Sequence, residues 1–231
     1  KVLYRYTGFM TIDSHRKTLH SYIRGGQSAL AVCVGPCSLH NDKSALLYGE
    51  KLLRLSELSP HYLVMRAYFE KSRTALGWKG YVHTHGIDKT RKLLEQLAAM
   101  GVPLACEFVT PALAPYFSDL ITWGFIGARS STLQTHRELE SNLPCPIGIK
   151  NNIDGNLGAL AQSVLVARSE QSYYYHEGLK KAPGNPFAHA VLRGSPGRPN
   201  YDSLSIIEIE REVELPIMVD CAHDNSGKCP A

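Results

Sequence analysis

The stretch Lys89-Thr90-Arg91-Lys92-Leu93-Leu94-Glu95-Gln96-Leu97-Ala98-Ala99-Met100-Gly101-Val102-Pro103-Leu104-Ala105-Cys106-Glu107-Phe108 reads as one helix, one stop and one strand. Leu93 and Leu97, like Leu94 and Ala98, recur at four-residue steps, the spacing of a single helix face. Gly101 tolerates the left-handed cap that ends a helix, and Pro103 cannot continue one, so the chain must turn there and run out extended. Outward from this stretch the alternation repeats. Short apolar runs at 30–34, 62–68, 103–108, 125–128, 146–149, 188–192 and 217–219 are candidate strands, and segments such as 43–58 have helical spacing. Repeated βα alternation predicts an α/β fold of parallel strands, either a doubly wound sheet or a (β/α)8 barrel. The connection 172–186, with Tyr173-Tyr174-Tyr175 and then Lys180-Lys181, reads as a hairpin excursion rather than a crossover helix.

The 231 residues are 44% hydrophobic, enough for a substantial core. Lys and Arg number 25 against 21 Asp and Glu, and the resulting net charge of +4 is mild for a nucleic-acid binder. No apolar run approaches the ~20 residues of a membrane span, and Lys1-Val2-Leu3-Tyr4-Arg5-Tyr6 opens no signal-peptide core. The expectation is a cytoplasmic protein with neither nucleic acid nor membrane as partner. Six cysteines are too sparse for a disulfide scaffold, so reduced thiols are expected, with metal ligation open to them.

The residues just beyond the apolar runs carry the chemistry. They are Cys37 after the first, Arg66 and Lys71 in and after the second, Glu107 at the third, Arg129 after the fourth, Lys150 after the fifth, Arg193 after the sixth and His223 after the seventh. A lone Arg or Lys is usually a solvated surface residue, but five cations at successive strand ends point to a site for a small, multiply charged anion. Arg forks match phosphate and carboxylate oxygens in paired hydrogen bonds, and Lys supplies a mobile charge. Gly35-Pro36-Cys37-Ser38 and Arg193-Gly194-Ser195-Pro196-Gly197 are small-residue loops through which backbone N–H groups can approach phosphate, although neither is a Walker loop or a GxGxxG fingerprint. Cys37 and His223 form the candidate metal pair, with Cys221 read as a core or supporting residue.

Several motifs, in order, carry a family resemblance. They are 35–40 (GPCSLH), 65–74 (MRAYFEKSRT) with 77–80 (GWKG), 126–129 (IGAR) with Gln134 and 136–139 (HREL), 146–151 (PIGIKN) through Asp154-Gly155, 191–194 (VLRG), 199–201 (PNY) and 218–226 (MVDCAHDNS). Together they resemble the phenylalanine- and tyrosine-sensitive type of 3-deoxy-D-arabino-heptulosonate 7-phosphate (DAHP) synthase. The resemblance implies a TIM (β/α)8 barrel that condenses phosphoenolpyruvate with erythrose 4-phosphate, the entry step of the shikimate pathway. It further implies that Arg66, Lys71, Arg129, Lys150 and Arg193 hold phosphoenolpyruvate, that Arg73 and Thr74 hold the sugar phosphate, and that Cys37 and His223 ligate a divalent ion (Mn2+, Fe2+, Co2+ or Zn2+). Lys71 is the expected proton donor, and Glu107 orients water. A homodimer or homotetramer and an aromatic amino-acid effector are expected partners.

The sequence departs from the family pattern at Ser72, where Pro is usual, and at Leu133, where Glu is usual. The stretch 78–89 is shorter than the pattern, and the eighth strand with its Glu and Asp ligands does not follow the seventh. The expected layout is a 1–29 N-terminal extension and a 30–231 barrel domain incomplete at its end, with a longer polypeptide favoured over a true truncation. A catalytically impaired homologue, acting as an anion-binding or regulatory partner subunit, is the competing reading.

Overall fold

The computed structural model describes residues 10–73, 75–175, 178–227 and 229. They form two compact units, one of residues 10–22 and 26–124, the other of residues 23–25 and 125–229.

In the first unit β1 (Ala31–Val34), β2 (Tyr62–Arg66) and β3 (Leu104–Glu107) lie side by side in that order, all parallel, with Val34 opposite Met65 and Arg66 opposite Ala105. Helix α2 (Asp42–Leu58) crosses from β1 to β2, and α3 (Tyr81–His85) with α4 (Ile87–Ala99) crosses from β2 to β3. The Asn41 side chain caps α2 by accepting from the Ser44 N–H at 3.0 Å. The stop after α4 falls where the sequence put it: Gly101 has φ +85° and donates to the Ala98 carbonyl. Val64, Met65, Leu104, Ala105, Leu94 and Leu97 are fully buried, and truncating any of these leucines to Ala costs about 2–5 kcal/mol.

Helix α1 (Ile12–Ile23) lies within the expected N-terminal extension and is anchored to the first unit. His15 bonds the Tyr62 hydroxyl at 2.9 Å and the Gly101 carbonyl at 3.1 Å, and Arg16 donates to the carbonyls of Ser118 and Ile121. The boundary between the units runs through β4 (Trp123–Ile126).

The second unit holds α5 (Gln134–Glu140), β5 (Ile147–Lys150), α6 (Leu157–Arg168), β6 (Gln171–Tyr175), β7 (Gly178–Ala182), β8 (His189–Leu192), α7 (Ser203–Val213) and β9 (Met218–Val219). Strands β5, β8 and β9 are parallel neighbours in that order, with Ile149 opposite Ala190 and Val191 opposite Met218. Strands β6 and β7 form the separate antiparallel hairpin read from the sequence, with Tyr174 opposite Leu179. Gly148 is required by packing, because a Cβ there would lie 2.6 Å from the Phe125 ring and 2.8 Å from Val191. All seven candidate strands are present within a residue or two of their expected ends.

Candidate active site

In the first unit the loop leaving β1 folds over the end of β2. A Cβ on Gly35 would come within 2.8 Å of the Arg66 carbonyl, so only glycine lets the chain pass this closely. Ser38 then donates its hydroxyl to the Tyr68 carbonyl at 2.8 Å, and the Leu39 N–H donates to the same oxygen. This fixes Cys37, which is exposed and receives the Lys71 ammonium on its sulfur at 2.6 Å. Burial pushes the Cys37 thiol up, but the Lys71 hydrogen bond and the charges of Lys71, Arg66 and Arg73 outweigh it and hold the thiol below its ordinary range. Arg66 donates to the Cys37 carbonyl at 3.2 Å and lies over the Tyr68 ring at 3.9 Å. Glu107 is half-buried at the end of β3, and its charge acts on Arg66. Arg73 is exposed and bonds the Trp78 carbonyl at 2.7 Å. Thr74 lies outside the described residues.

In the second unit the cations are buried and paired. Lys150, the last residue of β5, donates to Asp220 Oδ2 at 2.7 Å, both side chains being under 10% exposed. His223 Nδ1 meets the Oδ1 oxygen of the same carboxylate at 2.9 Å. Burial pushes the Asp220 carboxyl up, but the His223 hydrogen bond and the Lys150 charge overcome it and hold the group well below the usual carboxylate range. Arg193, just past β8, meets Asp224 at 2.7 Å with equally little exposure. Its backbone is set by three asparagines. Asn151 Oδ1 accepts from the Arg193 N–H at 2.8 Å and from Asn200 Nδ2 at 3.1 Å, and Asn200 Oδ1 accepts from the Gly194 N–H at 2.7 Å. Asn225 Oδ1 accepts from the Asn200 N–H, while its amide donates to the carbonyls of Leu192 and Asp220. Arg129 is exposed in the turn after β4.

The first unit therefore gathers Cys37, Arg66 and Lys71, and the second ties Lys150 to His223 through Asp220. One sequence expectation is corrected. Cys221 is exposed rather than core, because β9 ends at Val219 and strand alternation does not reach it. The six cysteines are free thiols. Asp220, Asp224 and the three asparagines were not read as site residues. The signal available was a pair of carboxylates flanking His223 at 220–224.

Each unit, taken by itself, offers one side chain with the chemistry of a metal ligand. A carboxylate on Nδ1 favours the tautomer that leaves His223 Nε2 with its lone pair, the arrangement of an oriented metal-ligating imidazole, and Cys37 offers a thiol biased toward thiolate. No cluster of three or more His, Cys, Asp or Glu side chains able to hold a metal occurs among the described residues. None of the helices among them is long and apolar enough to cross a membrane.

Parallel strands that hand a cation, a thiol or an imidazole to the loop beyond them are the arrangement of α/β enzymes of the barrel type. The chain belongs to the DAHP synthetase I family, whose model matches residues 10–229. It is 38% identical to the Tyr-sensitive phospho-2-dehydro-3-deoxyheptonate aldolase of Escherichia coli (strain K12), over 94% of this chain and 67% of that protein. To the Phe-sensitive enzyme of the same organism it is 35% identical, over 94% of this chain and 68% of that protein. The structure of phospho-2-dehydro-3-deoxyheptonate aldolase from Francisella tularensis SCHU S4 matches with a TM-score of 0.90 and 34% identity, covering 97% of this chain and 72% of that one. The reading of an α/β barrel, with seven of its strands among these residues, is borne out.

Proposed function

We propose that this chain condenses phosphoenolpyruvate with erythrose 4-phosphate to give DAHP and inorganic phosphate, the first step of the shikimate pathway. The observation that carries this reading is the pair of buried cations, Lys150 and Arg193, at the ends of the adjacent parallel strands β5 and β8. Burying two such charges costs several kcal/mol each unless they are compensated, and Asp220 and Asp224 supply that compensation, so both cations are held at the strand ends where a barrel enzyme meets its substrate. Arg129, Lys150 and Arg193 of the second unit, with Arg66 and Lys71 of the first, are assigned to phosphoenolpyruvate. Arg73 and Thr74 are assigned to the sugar phosphate. The family resemblance supports these assignments, and so does the placement of each described residue within its own unit; Thr74 lies outside the described residues.

In the reaction, carbon 3 of phosphoenolpyruvate bonds to the aldehyde carbon, the aldehyde oxygen takes a proton, water adds its oxygen at carbon 2, and phosphate leaves. Lys71 is proposed to hold and deliver the proton, its ammonium being positioned by the Cys37 sulfur. Glu107 is proposed to orient the water. Asp220 fixes both Lys150 and the His223 ring, and the asparagine network holds the Arg193 backbone in register. Cys37 and His223 are the proposed ligands of a divalent ion, which when bound would polarise the aldehyde oxygen.

A homo-oligomer, an aromatic amino-acid effector and a cytoplasmic location belong to the same proposal. The names of the relatives, Tyr-, Trp- and Phe-sensitive, support the effector. Nothing in the site or in the comparisons favours the impaired, merely anion-binding homologue. The test is to mix the chain with both substrates and Mn2+ and to follow phosphate release together with the seven-carbon product. Equal amounts of the two are expected, and phosphate release no faster than the uncatalysed blank would sink the proposal.

A further inference from the structure

A carboxylate that the scheme above does not use ties down the segment after β2. Glu70 lies between Phe69 and Lys71, is 2% exposed, and accepts the Thr110 N–H on Oε2 at 3.1 Å. Thr110 follows β3 and Glu107. The other oxygen, Oε1, takes no hydrogen bond among the described residues and lies 3.6 Å from Nε2 of His83 in α3, a ring 44% exposed to solvent. One buried side chain therefore reaches the end of β2, the loop after β3 and the helix that follows.

The surrounding backbone is closed at this point. The Lys71 N–H donates to the Lys79 carbonyl at 2.8 Å, and the Val82 N–H donates to the Phe69 carbonyl at 3.1 Å. Gly80 has φ +114°, and a Cβ there would lie 2.4 Å from the Phe69 carbonyl oxygen and 2.7 Å from the Glu70 Cα. The returning chain is pressed directly onto the Glu70 backbone. A buried carboxylate oxygen needs a donor, and His83 is placed to be that donor at the one point where the two arms of the segment meet.

We propose that Glu70 and His83 form a clamp, with both acting as positioning residues that hold Lys71 in place for proton delivery and Arg73 in place for the sugar phosphate. The functional half of this inference rests on the roles assigned to Lys71 and Arg73 under Proposed function. The structural half, closure of the segment, stands on the contacts alone.

Three variants test it, all in the full chain: His83→Ala, His83→Gln and Glu70→Gln. The Gln at 83 can present an amide N–H close to the Nε2 position, so it should rescue what Ala loses. His83→Ala is expected to lower kcat/KM for erythrose 4-phosphate by about tenfold. Adding His83→Ala to Glu70→Gln should cause little further loss, since the two act as one unit. Hydrogen exchange needs no substrate. The amides of Lys71 and Val82 should exchange about tenfold faster in His83→Ala, while those of Ile149 and Leu192 keep their rates. If the wild-type chain makes no product yet the exchange difference appears, the assigned reaction falls and the clamp stands. If His83→Ala matches wild type in exchange at Lys71 and Val82, or if product forms and its kcat/KM is also unchanged, the clamp is overturned.

Discussion

Lys71 meets Cys37 at 2.6 Å on residues that stand exposed or half-buried beyond β2 and β1, whereas Lys150 and Arg193 meet Asp220 and Asp224 at 2.7 Å with side chains almost wholly buried. The contact distances are alike and the energetics are not. A half-exposed ammonium and thiol are solvated whether or not they touch, so their contact adds little stability and mainly sets reactivity. The buried pairs have given up hydration, and each partner depends on the other. The first unit thus carries adjustable chemistry on loops, and the second carries fixed charge on strand ends that doubles as structure.

Lys150→Met probes that difference with the largest effect. It leaves Asp220 buried with the His223 ring and the Ala222 N–H as partners but without its ammonium, so a loss of about 3–5 kcal/mol in denaturant unfolding is expected, together with loss of synthesis. Cys37→Ser should also abolish metal-dependent synthesis, hydroxyl being a poor ligand for such ions, yet it should shift stability by no more than about 0.5 kcal/mol. Adding Asp220→Asn to Lys150→Met should restore part of the stability and none of the turnover. If Lys150→Met and Cys37→Ser unfold alike, the contrast between the units disappears.

The next effect in size is a pH dependence belonging to the second unit. Burial first, with the Arg168 charge adding to it, pulls His189 from 6.5 down to about 4 against the opposing Phe187 carbonyl. The unfolded chain takes up this proton below about pH 6.5, and the folded chain only near 4, so stability is intact above 6.5 and falls as pH drops toward 4. At about 1.4 kcal/mol per unit the fall is on the order of 3 kcal/mol. His15 in the first unit is also lowered by burial and has the same sign. Urea unfolding of wild type and His189→Gln between pH 7 and 4.5 checks the assignment. A slope equally steep in the variant would place its origin elsewhere.

Arg129→Ala sharpens the comparison from within the second unit. Arg129 is exposed, unlike Lys150 and Arg193, so its removal should leave the unfolding midpoint in place. If it holds phosphoenolpyruvate, affinity measured by titration calorimetry should still fall about tenfold or more, the roughly 1.5–3 kcal/mol of a charge-assisted contact. Unchanged affinity would remove Arg129 from the site.

What the sequence made legible follows the same divide. Strand ends were readable because apolar runs stop where charged residues begin, and Cys37, Lys150, Arg193 and His223 do stand at or beyond the ends of β1, β5, β8 and β9. Partners were not readable. Asp220 and Asp224 look like ordinary loop carboxylates until β9 brings them under Lys150 and Arg193, contacts 70 and 31 residues apart along the chain. The three asparagines act through backbone groups, which carry no residue-type signal at all. A core place for Cys221 depended on where the last strand stops, and β9 ends at Val219, two residues short of it. Glu70 lies inside the 65–74 motif but beside the more obvious Lys71, and His83 falls in 78–89, the stretch that departs in length from the family pattern, where position along a motif is least informative.

The smallest expected effect concerns the thiol of the first unit. Cys37, Cys221 and Cys229 are all exposed, but the contact that matters for reactivity is the Lys71 ammonium on the Cys37 sulfur. Burial raises that thiol, and Lys71, with Arg66 and Arg73, lowers it further than burial lifts it. Lowering the pKa increases the thiolate fraction at pH 7, and thiolate is the species that alkylates. In the presence of a chelator, Lys71→Met should therefore slow iodoacetamide labelling of Cys37 by about three- to tenfold at pH 7, read by peptide mass spectrometry. The gap should narrow as pH rises, because the thiol then ionises with or without its neighbour. Lys150→Met should leave this rate unchanged, provided labelling is done where that variant is still folded, because its charge serves the second unit. Equal labelling of wild type and Lys71→Met at pH 7 would show that the 2.6 Å contact does not tune the thiol, and the first unit would lose the property that distinguishes it from the second.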